Sequence, residues 1–206
     1  MESVNYLVLV RHGQSEYNEQ NLFTGWLNPP LTDKGKREAK DAGQIIQKTA
    51  INFDVHFTSS LERAQKTGQI ILEVLGQTEV KTECSQALNE RNYGDLAGLN
   101  KDDARNKWGV EQVHIWRRSF DISPPGGESL QNTFERAIPF FEDKIKPYLD
   151  EKKNILISSH GNTIRALLMH LENIDADKIV ELEIATGKPI FFKHNKEGQI
   201  IKFNKF

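Results

Sequence analysis

Two short segments of the sequence place a histidine and a glycine directly after a run of residues that predicts a buried strand. The first reads LVLVRHGQSEYN, where Arg11 and His12 follow Leu7–Val10. The second reads NILISSHGNTIRALLMHL, where His160 follows Ile155–Ser158. Apolar runs without alternation are typical of strands buried on both faces of a parallel sheet. Parallel strands end at one edge of their sheet, so these three side chains converge there if the strands are neighbours.

The residue types at this edge suit phosphoryl chemistry. Arg63, from the loop after a strand over Val55–Thr58, is expected to join Arg11. Guanidinium groups match phosphate oxygens, and buried cations without an anion are costly. A neutral imidazole nitrogen attacks phosphorus without first losing a proton, and neighbouring arginines lower the pKa of the ring. His12 is therefore the predicted nucleophile, with both arginines and a protonated His160 stabilising the transition state.

A single histidine after a strand is more often a hydrogen-bonded core residue than a catalytic one. The repetition of the strand-His-Gly arrangement, together with arginines at two strand ends, favours a functional site over packing alone. The sequence has no HExxH motif and no Cys/His cluster with ligand spacing. We therefore predict that the chemistry needs no metal.

Periodicity and capping residues predict the elements that carry these residues. They are a loop over 13–31, a helix from Thr32 or Asp33, a helix from Glu62 to Gly76, a helix capped by Asn100, a helix over 110–120, a helix from Leu130 past Ile145 that Pro139 and Pro147 bend or end, a turn at His160-Gly161, a helix over Thr163–Leu171, and a hairpin of Pro189–Lys193 with Gln199–Phe203. Strands alternating with helices predict an α/β fold, with residues 1–206 as a single domain built on a mostly parallel central sheet flanked by helices.

Composition limits the classes of partner. The 27 lysines and arginines nearly balance the 29 acidic residues, so the overall charge predicts neither a nucleic acid nor a membrane as partner. The single cysteine, Cys84, cannot form an internal disulfide, and the first residues lack the basic start of a secretory signal. No apolar run reaches the roughly 20 residues of a membrane span. A soluble cytoplasmic protein is therefore expected.

Six segments in order closely resemble the histidine phosphatase superfamily and, within it, the cofactor-dependent phosphoglycerate mutases. They are LVLVRHGQSEYN, FTGW, TSSLERAQKT, LNERNYGDLAGLNK, WRRSF and SSHGNTIRAL, from about residue 6 to about residue 192. The first and last identify only the superfamily. LNERNYG, the lysine that follows it and WRR are features of the mutase branch.

The resemblance implies roles for individual residues. His12 carries the phosphoryl group, and Glu90 is the general acid and base. From the residues alone, Glu90 reads more readily as an exposed acid paired with Arg91. The resemblance places the catalytic group at Arg11, His12, Arg63, Glu90 and His160, and the substrate-binding group at Asn18, Thr24, Gly25, Arg91, Tyr93, Lys101, Arg117, Arg118, Gly161 and Asn162. Arg117 and Arg118 point about 100° apart on a helix, so spacing alone favours at most one of them in a site.

The activity that the resemblance implies is interconversion of 3-phosphoglycerate and 2-phosphoglycerate, in glycolysis and gluconeogenesis. The reaction runs through phosphohistidine, and 2,3-bisphosphoglycerate is the primer. Small phosphoglycerates would then be the only partners, apart from a second copy of the chain.

The chain departs from many relatives of that family at two places. Only Gly126-Gly127 separates Pro124-Pro125 from Glu128-Ser129-Leu130, where many members carry a longer insert, and the sequence ends at Phe206 without their extended tail. The sequence therefore leaves open whether the protein is a monomer or a homodimer, and how well the site is shielded from water.

Three other readings compete with the mutase. A broad phosphomonoesterase needs His12 and Glu90 but less grip on a second anionic group, and Lys101, Arg117 and Arg118 argue against it. A bisphosphoglycerate synthase or phosphatase can share the same pocket. A phosphopeptide-binding module needs the cations but neither a nucleophile nor a proton shuttle.

Overall fold

The structure is a computed structural model that describes residues 4–203, and a six-stranded sheet lies at its centre. The strands are β1 (Asn5–Arg11), β2 (Val55–Ser59), β3 (Lys81–Ser85), β4 (Ile155–Ser159), β5 (Pro189–His194) and β6 (Ile200–Phe203). They are ordered β3-β2-β4-β1-β5-β6 across the sheet. The first four are mutually parallel, β5 runs antiparallel to β1, and the edge strand β6 runs antiparallel to β5. The predicted α/β fold with a mostly parallel sheet is confirmed.

Helices cover both faces of the sheet. The α-helices in the described part of the chain are α1 (Glu16–Glu19), α2 (Asp33–Gln47), α3 (Glu62–Leu75), α4 (Lys101–Trp108), α5 (Val110–Arg118), α6 (Leu130–Phe140), α7 (Lys146–Asp150), α8 (Gly161–Glu172) and α9 (Ala176–Ile179). A π-helical turn, Phe141–Ile145, joins α6 to α7. None of these helices is long and apolar enough to cross a membrane.

Alternate residues of the central strands enter two different hydrophobic cores. Leu7 and Leu9 of β1 point to the face covered by α6 and α8, where Ile157 of β4 joins them. Val8 and Val10 point to the opposite face and pack against α2 and α3. Each fully buried aliphatic side chain contributes about 1.5–3 kcal/mol, so double-sided burial holds the central strands firmly. The edge of the sheet from which His12 and His160 emerge is therefore rigid.

A third, smaller cluster lies away from the sheet. It joins α4 and α5 to the loop at Phe23 and to Leu96, with Val113 and Trp116 buried between them. Asn100 caps α4 through its side-chain oxygen, as the sequence predicts. This cluster, which we call the α4–α5 pair, forms one wall of the site described below.

The structure corrects several element predictions. The segment 13–31, predicted as a loop, contains α1. This helix was not predicted because it has only four residues and no buried side chain, and so no apolar periodicity. Strand β3 was missed because its residues are partly exposed at the sheet edge and carry no apolar run. The turn predicted at His160-Gly161 is wrong: Gly161 is the first residue of α8, and His160 is its N-cap. Pro139 lies inside α6, and the π-helical turn follows it.

The short connection over residues 124–128 packs against the chain segment that follows Glu90. The Asp95 backbone N–H donates to the Pro125 carbonyl at 2.9 Å, and the Glu128 N–H donates to the Asn92 carbonyl at 2.8 Å. Between these bonds, Gly94 has a φ of +53°. A Cβ on Gly94 would lie 2.2 Å from the Pro125 oxygen, so only glycine fits.

We expect Gly94→Ala to destabilise the protein more than Gly76→Ala. Gly76 also has a positive φ, of +68°, but a Cβ there would meet nothing within 4 Å. The left-handed conformation alone costs about 1–2 kcal/mol, and overpacking adds about 1–3 kcal/mol at Gly94. Urea unfolding of both variants measures the difference. Equal losses of unfolding free energy in the two variants would show that the 124–128 connection shifts to accommodate the added methyl group at no cost in stability.

Candidate active site

The two predicted histidines meet because their strands are neighbours. Strands β1 and β4 pair in parallel with Arg11 opposite Ser159, and the His12 N–H donates to the Ser159 carbonyl at 2.9 Å. The rings of His12 and His160 lie edge to face, with 5.0 Å between their centroids. The expected convergence of the two strand-His-Gly segments is confirmed.

The ring of His12 is held with one nitrogen available. Its Nδ1 lies 2.7 Å from the Gly13 carbonyl oxygen, which can only accept, so Nδ1 carries the hydrogen. The other nitrogen, Nε2, is therefore unprotonated, and its lone pair accepts a hydrogen bond from Arg63 Nε at 3.3 Å. The side chain is almost fully buried. This is the tautomer that a nucleophilic imidazole requires.

Burial keeps His12 neutral. Its pKa is lowered well below 6.5, first by loss of solvent and then by the charges of Arg63 and Arg11, while the hydrogen bond to Gly13 opposes the shift. The sequence predicted the direction but named only the arginines. The larger cause is burial, because an imidazolium loses its hydration there.

This lowered pKa predicts a flat pH dependence for phosphorylation of the enzyme. A histidine whose pKa is lowered stays neutral, and so reactive, as the pH falls below 6.5. We expect the single-turnover rate at saturating phosphoryl donor to change less than about twofold from pH 7.5 to 6.0. An imidazole with the usual pKa of about 6.5 would fall to roughly a quarter over that range. Rapid-quench measurement of the single-turnover rate at pH 7.5 and pH 6.0 decides between a lowered and a usual pKa for His12.

His160 does not have the charge that the sequence predicted. Its pKa is lowered well below 6.5 by burial and then by Arg63, His12 and Arg11, so the expectation of a protonated His160 is wrong for the site without a bound anion. Nε2 of His160 lies 2.7 Å from the Ser59 hydroxyl. Its other nitrogen is buried and has no partner among the described residues.

Arg63 comes from the first turn of α3 rather than from a loop. It is buried, and its guanidinium donates to the carbonyls of Leu27 at 2.8 Å and Gly25 at 2.9 Å. Burial lowers its pKa to about 10, with Glu90 opposing the shift, so it remains charged at neutral pH. Gly25 thus fixes an arginine through its backbone and does not line the cavity described below.

Glu90 is anchored by backbone groups on one side only. Its Oε1 accepts from the Arg91 N–H at 2.9 Å and from the Asn162 N–H at 3.1 Å. The Glu90 side chain lines the cavity. The first turn of α8 supplies one of these donors, which favours negative charge at that place. The structure therefore holds a carboxylate in fixed orientation beside the histidines.

A small cavity is bounded by Glu90 and by Arg11, the neighbour of His12. It holds about 130 Å³ and is lined by Arg11, Asn18, Leu22, Phe23, Thr24, Glu90, Tyr93, Lys101, Arg117, Arg118, Gly161, Asn162, Arg165 and Glu183. Five of these residues are cationic and two are acidic. The volume is below the range of about 300–1,000 Å³ typical of drug-sized ligands. The cavity therefore suits a small, strongly anionic molecule.

The α4–α5 pair supplies the cations at the far wall. Burial and then the charge of Arg117 lower the pKa of Lys101. Arg117 and Arg118 both line the cavity, although spacing alone favoured at most one of them. Cations that crowd one another in this way are stabilised by an anion between them.

Arg91 lies behind the cavity wall rather than on it. It is fully buried, its guanidinium is 4.7 Å from the Tyr93 ring centroid, and it donates to the Tyr93 hydroxyl at 3.0 Å. Tyr93 itself faces the cavity. Arg91 thus acts on the site through the residue in front of it.

Four lining residues were missed by sequence reasoning: the apolar Leu22 and Phe23, and the charged Arg165 and Glu183. Arg165 stands one helical turn after Gly161 on α8 and donates to Asn162 Oδ1 at 3.2 Å, so the i, i+4 spacing could have found it. Glu183 lies in an irregular segment with no motif. It pairs with Arg118 and lies 3.9 Å from Arg165, and it is largely exposed. This carboxylate shields two cations at the mouth of the cavity.

Several buried side-chain nitrogens of these residues have no hydrogen-bond partner in the described part of the chain. Within residues 4–203, five buried side-chain nitrogens lack a hydrogen-bond partner. Four of them belong to this group of residues: Arg11 Nε, Arg91 Nε, Arg91 Nη1 and His160 Nδ1. Buried polar groups are nearly always satisfied in folded proteins, so the nitrogens of Arg11 and His160 favour an anionic ligand beside them, while the two of Arg91 lie behind Tyr93.

A larger depression on the surface lacks this chemistry. It holds about 650 Å³ between α1, α2 and α3; of the predicted catalytic residues only Arg63 lines it, whereas Arg11 and Glu90 line the smaller cavity. Its lining mixes acids and bases, with Glu16, Glu62 and Lys66 among them. The residues that the structure describes contain no group of three or more His, Cys, Asp or Glu that could hold a metal ion.

The site and fold place the chain in a known family. It matches the sequence profile of the histidine phosphatase superfamily (branch 1) over residues 7–204. The chain belongs to that superfamily. Among solved structures, a mycobacterial glucosyl-3-phosphoglycerate phosphatase has a TM-score of 0.81 at 22% identity, covering 97% of this chain and 96% of its own. At that identity the likeness establishes the fold alone.

Curated relatives indicate which enzymes of the superfamily the chain is similar to in sequence. A 2,3-bisphosphoglycerate-dependent phosphoglycerate mutase from Parvibaculum lavamentivorans is 54% identical over 198 residues, which cover 96% of this chain and 94% of the relative. A phosphoglycerate mutase from Schizosaccharomyces pombe is 53% identical over 197 residues, covering 96% and 93%. The chain is thus similar over nearly its whole length to phosphoglycerate mutases.

Proposed function

We propose that the chain is a 2,3-bisphosphoglycerate-dependent phosphoglycerate mutase, which interconverts 3- and 2-phosphoglycerate in glycolysis and gluconeogenesis. One observation carries the proposal beyond phosphoryl transfer in general. The cavity is lined by Arg11, whose charge acts on the neutral His12 next to it, and also by Lys101 and Arg117 of the α4–α5 pair. A phosphoglycerate has a phosphate and a carboxylate, and a cavity with cations on both sides suits a molecule with two anionic ends.

His12 is the proposed nucleophile. When 2,3-bisphosphoglycerate binds, it supplies the phosphoryl group that primes the enzyme. The free Nε2 of His12 forms a bond to phosphorus as the bond from phosphorus to the donor's ester oxygen breaks. Arg11 and Arg63 stabilise the charge on the transferring oxygens, which is the main task of a protein in such a transfer.

Glu90 is the proposed proton carrier. In the forward step a substrate hydroxyl attacks the phosphorus on His12, and the hydroxyl proton passes to Glu90. In the reverse step Glu90 returns a proton to the departing ester oxygen, so protons balance over the cycle. The two backbone N–H groups on Oε1 leave the other oxygen free for this exchange.

The proposed substrate grip is distributed around the cavity. Asn18, Thr24, Gly161 and Asn162 would assist the transferred phosphoryl group and the glycerate, while Tyr93, Lys101, Arg117 and Arg118 would hold the second anionic group. Arg91 and Gly25 support this grip from behind, through Tyr93 and Arg63.

Further proposals concern the setting of the reaction. We propose that residues 1–206 form one catalytic domain that works in the cytoplasm, without a metal and without nucleic acid or membrane partners. The balanced charge of the chain supports this.

The decisive experiment compares isomerisation with hydrolysis. The enzyme is given 3-phosphoglycerate with catalytic 2,3-bisphosphoglycerate and a chelator, and 2-phosphoglycerate and inorganic phosphate are measured together. Isomerisation that needs the bisphosphate and ignores the chelator supports the mutase. Dominant release of phosphate would instead assign the chain to the phosphatases of the superfamily, and turnover of neither substrate would favour a binding module.

A further inference from the structure

A buried serine contacts the second histidine of the site. Ser59, the last residue of β2, is fully buried, and its hydroxyl oxygen lies 2.7 Å from His160 Nε2. The Leu61 backbone N–H donates to the same oxygen at 3.1 Å. The hydroxyl therefore already accepts one hydrogen bond from the backbone.

Counting hydrogens decides the direction of the bond between serine and histidine. A hydroxyl has a single hydrogen to donate. If His160 donated from Nε2, the hydroxyl hydrogen of Ser59 would have no acceptor within the described structure, where His160 Nε2 and Leu61 N are the only contacts of that oxygen. Buried polar hydrogens are rarely left unpaired. With the ring hydrogen on Nδ1, only that N–H lacks a partner among the described residues, whereas the other tautomer leaves both the hydroxyl hydrogen and the Nδ1 lone pair without one. The tautomer with fewer unpaired groups is therefore the one in which the hydroxyl donates to Nε2 and the ring hydrogen is on Nδ1.

The other nitrogen of His160 is placed for a ligand. His160 Nδ1 is buried and has no partner among residues 4–203, and its ring packs against that of His12 at 5.0 Å. An anionic oxygen accepts a hydrogen bond from an N–H but is repelled by a lone pair. Only the tautomer with hydrogen on Nδ1 can therefore assist a phosphoryl group at His12.

We propose that Ser59 is a positioning residue that fixes His160 in the Nδ1–H tautomer, so that a neutral imidazole donates a hydrogen bond to the phosphoryl group being transferred. The proposal rests on phosphoryl transfer at His12. It replaces the cationic His160 expected from the sequence with a neutral donor, and it assigns a function to a serine that does not line the cavity.

The same molecule contains a matched pair outside the site. Ser158 Oγ lies 2.7 Å from Nε2 of His56, and both side chains are buried. Distance, ring nitrogen and burial equal those of the Ser59–His160 pair, but the Ser158 hydroxyl also donates to the Ala64 carbonyl at 2.8 Å and lies 3.0 Å from Thr58 Oγ1. His56 contacts Thr82 on its other side and does not face the cavity. Loss of the Ser158 hydroxyl breaks these contacts as well as the one to His56, so it gives an upper limit for the structural cost of breaking such a pair.

Nitrogen NMR of the wild-type protein tests the tautomer directly. With ¹⁵N-labelled histidine, the resonances of His160 are assigned by their absence from the spectrum of His160→Gln. We expect a protonated Nδ1 and an unprotonated Nε2, and we expect added inorganic phosphate to shift the Nδ1 proton. A protonated Nε2 in the wild type would overturn the proposal whether or not any variant folds.

Kinetics of Ser59→Ala beside Ser158→Ala separate positioning from stability. Removing one preorganised donor costs up to about 10²–10³ in kcat. Since Ser59→Ala leaves the imidazole in place, we expect kcat to fall about 10- to 100-fold, with KM for 3-phosphoglycerate changed less than about twofold and a mixture of His160 tautomers. Ser158→Ala should lower the melting temperature comparably and keep kcat within about twofold.

The outcomes distinguish this proposal from the proposed function. If Ser59→Ala keeps wild-type kcat while losing as much stability as Ser158→Ala, Ser59 is only structural. If the chain isomerises no phosphoglycerate but His160 has the Nδ1–H tautomer and its proton responds to phosphate, the mutase assignment fails and the role of Ser59 stands.

Discussion

Replacing His12 with glutamine is expected to abolish phosphorylation of the enzyme and to lower mutase activity by at least about 10⁴-fold. The amide of glutamine has no lone pair that can form a stable bond to phosphorus. Arg63 loses its bond to the ring of His12, but Arg11 and Arg63 are still held by their bonds to the carbonyls of Ile184, Leu27 and Gly25. The variant should therefore still bind the bisphosphate while failing to react with it.

Intact-mass analysis after incubation with 2,3-bisphosphoglycerate measures this effect. The wild type should gain one acid-labile phosphoryl group, and peptide mapping should locate it on His12. His114→Gln is a suitable control, because His114 is exposed on α5. A His12→Gln protein that still gains an acid-labile phosphate would refute the nucleophile, as would a phosphate mapped to His160 in the wild type.

Glu90→Gln should slow phosphoryl exchange by about 10²–10⁴-fold and leave binding nearly unchanged. The amide oxygen of glutamine can keep both bonds that Oε1 accepts, from the Arg91 and Asn162 N–H groups. The amide nitrogen then replaces the free oxygen, and it cannot accept a proton from a substrate hydroxyl. The shape of the site is kept and only the proton transfer is lost.

Three measurements isolate that loss. The first compares kcat with KM for 3-phosphoglycerate. The second follows the rate of transfer from the phosphorylated enzyme by rapid quench. The third repeats these measurements on Glu62→Gln, which controls for removal of a charge on α3. Activity within about threefold of the wild type would show that protons move by another route. A large rise in KM with unchanged kcat would make Glu90 a binding group instead.

The convergence of the two strand-His-Gly segments could be predicted because strands buried on both faces have a recognisable sequence pattern. The runs before Arg11 and His160 are apolar without alternation, and only adjacent parallel strands bury such residues on both faces. Capping residues were equally informative, since Thr32 and Asn100 cap the helices that begin beside them. Apolar runs and capping residues reflect local sequence and burial, so a single sequence is enough to show them.

Other properties depend on the surroundings of a residue in three dimensions. The charge of His160 was mispredicted because neither its complete burial nor its contact with Ser59 can be read from spacing. Glu183 was missed because it reaches the cavity from an irregular segment. Edge strand β3 was missed because partly exposed residues carry no apolar pattern. Desolvation and contacts between distant segments therefore need the folded structure.

The separation of the site into two supports has an evolutionary consequence. The histidines stand on adjacent strands of the buried sheet, whereas Lys101, Arg117 and Arg118 stand on the α4–α5 pair, which has its own small core. Exchanging that helical hairpin would alter which phosphorylated compound is selected and leave the reacting atoms undisturbed. A lineage built on this plan can thus acquire new specificities by remodelling one peripheral module, with its reaction centre inherited intact.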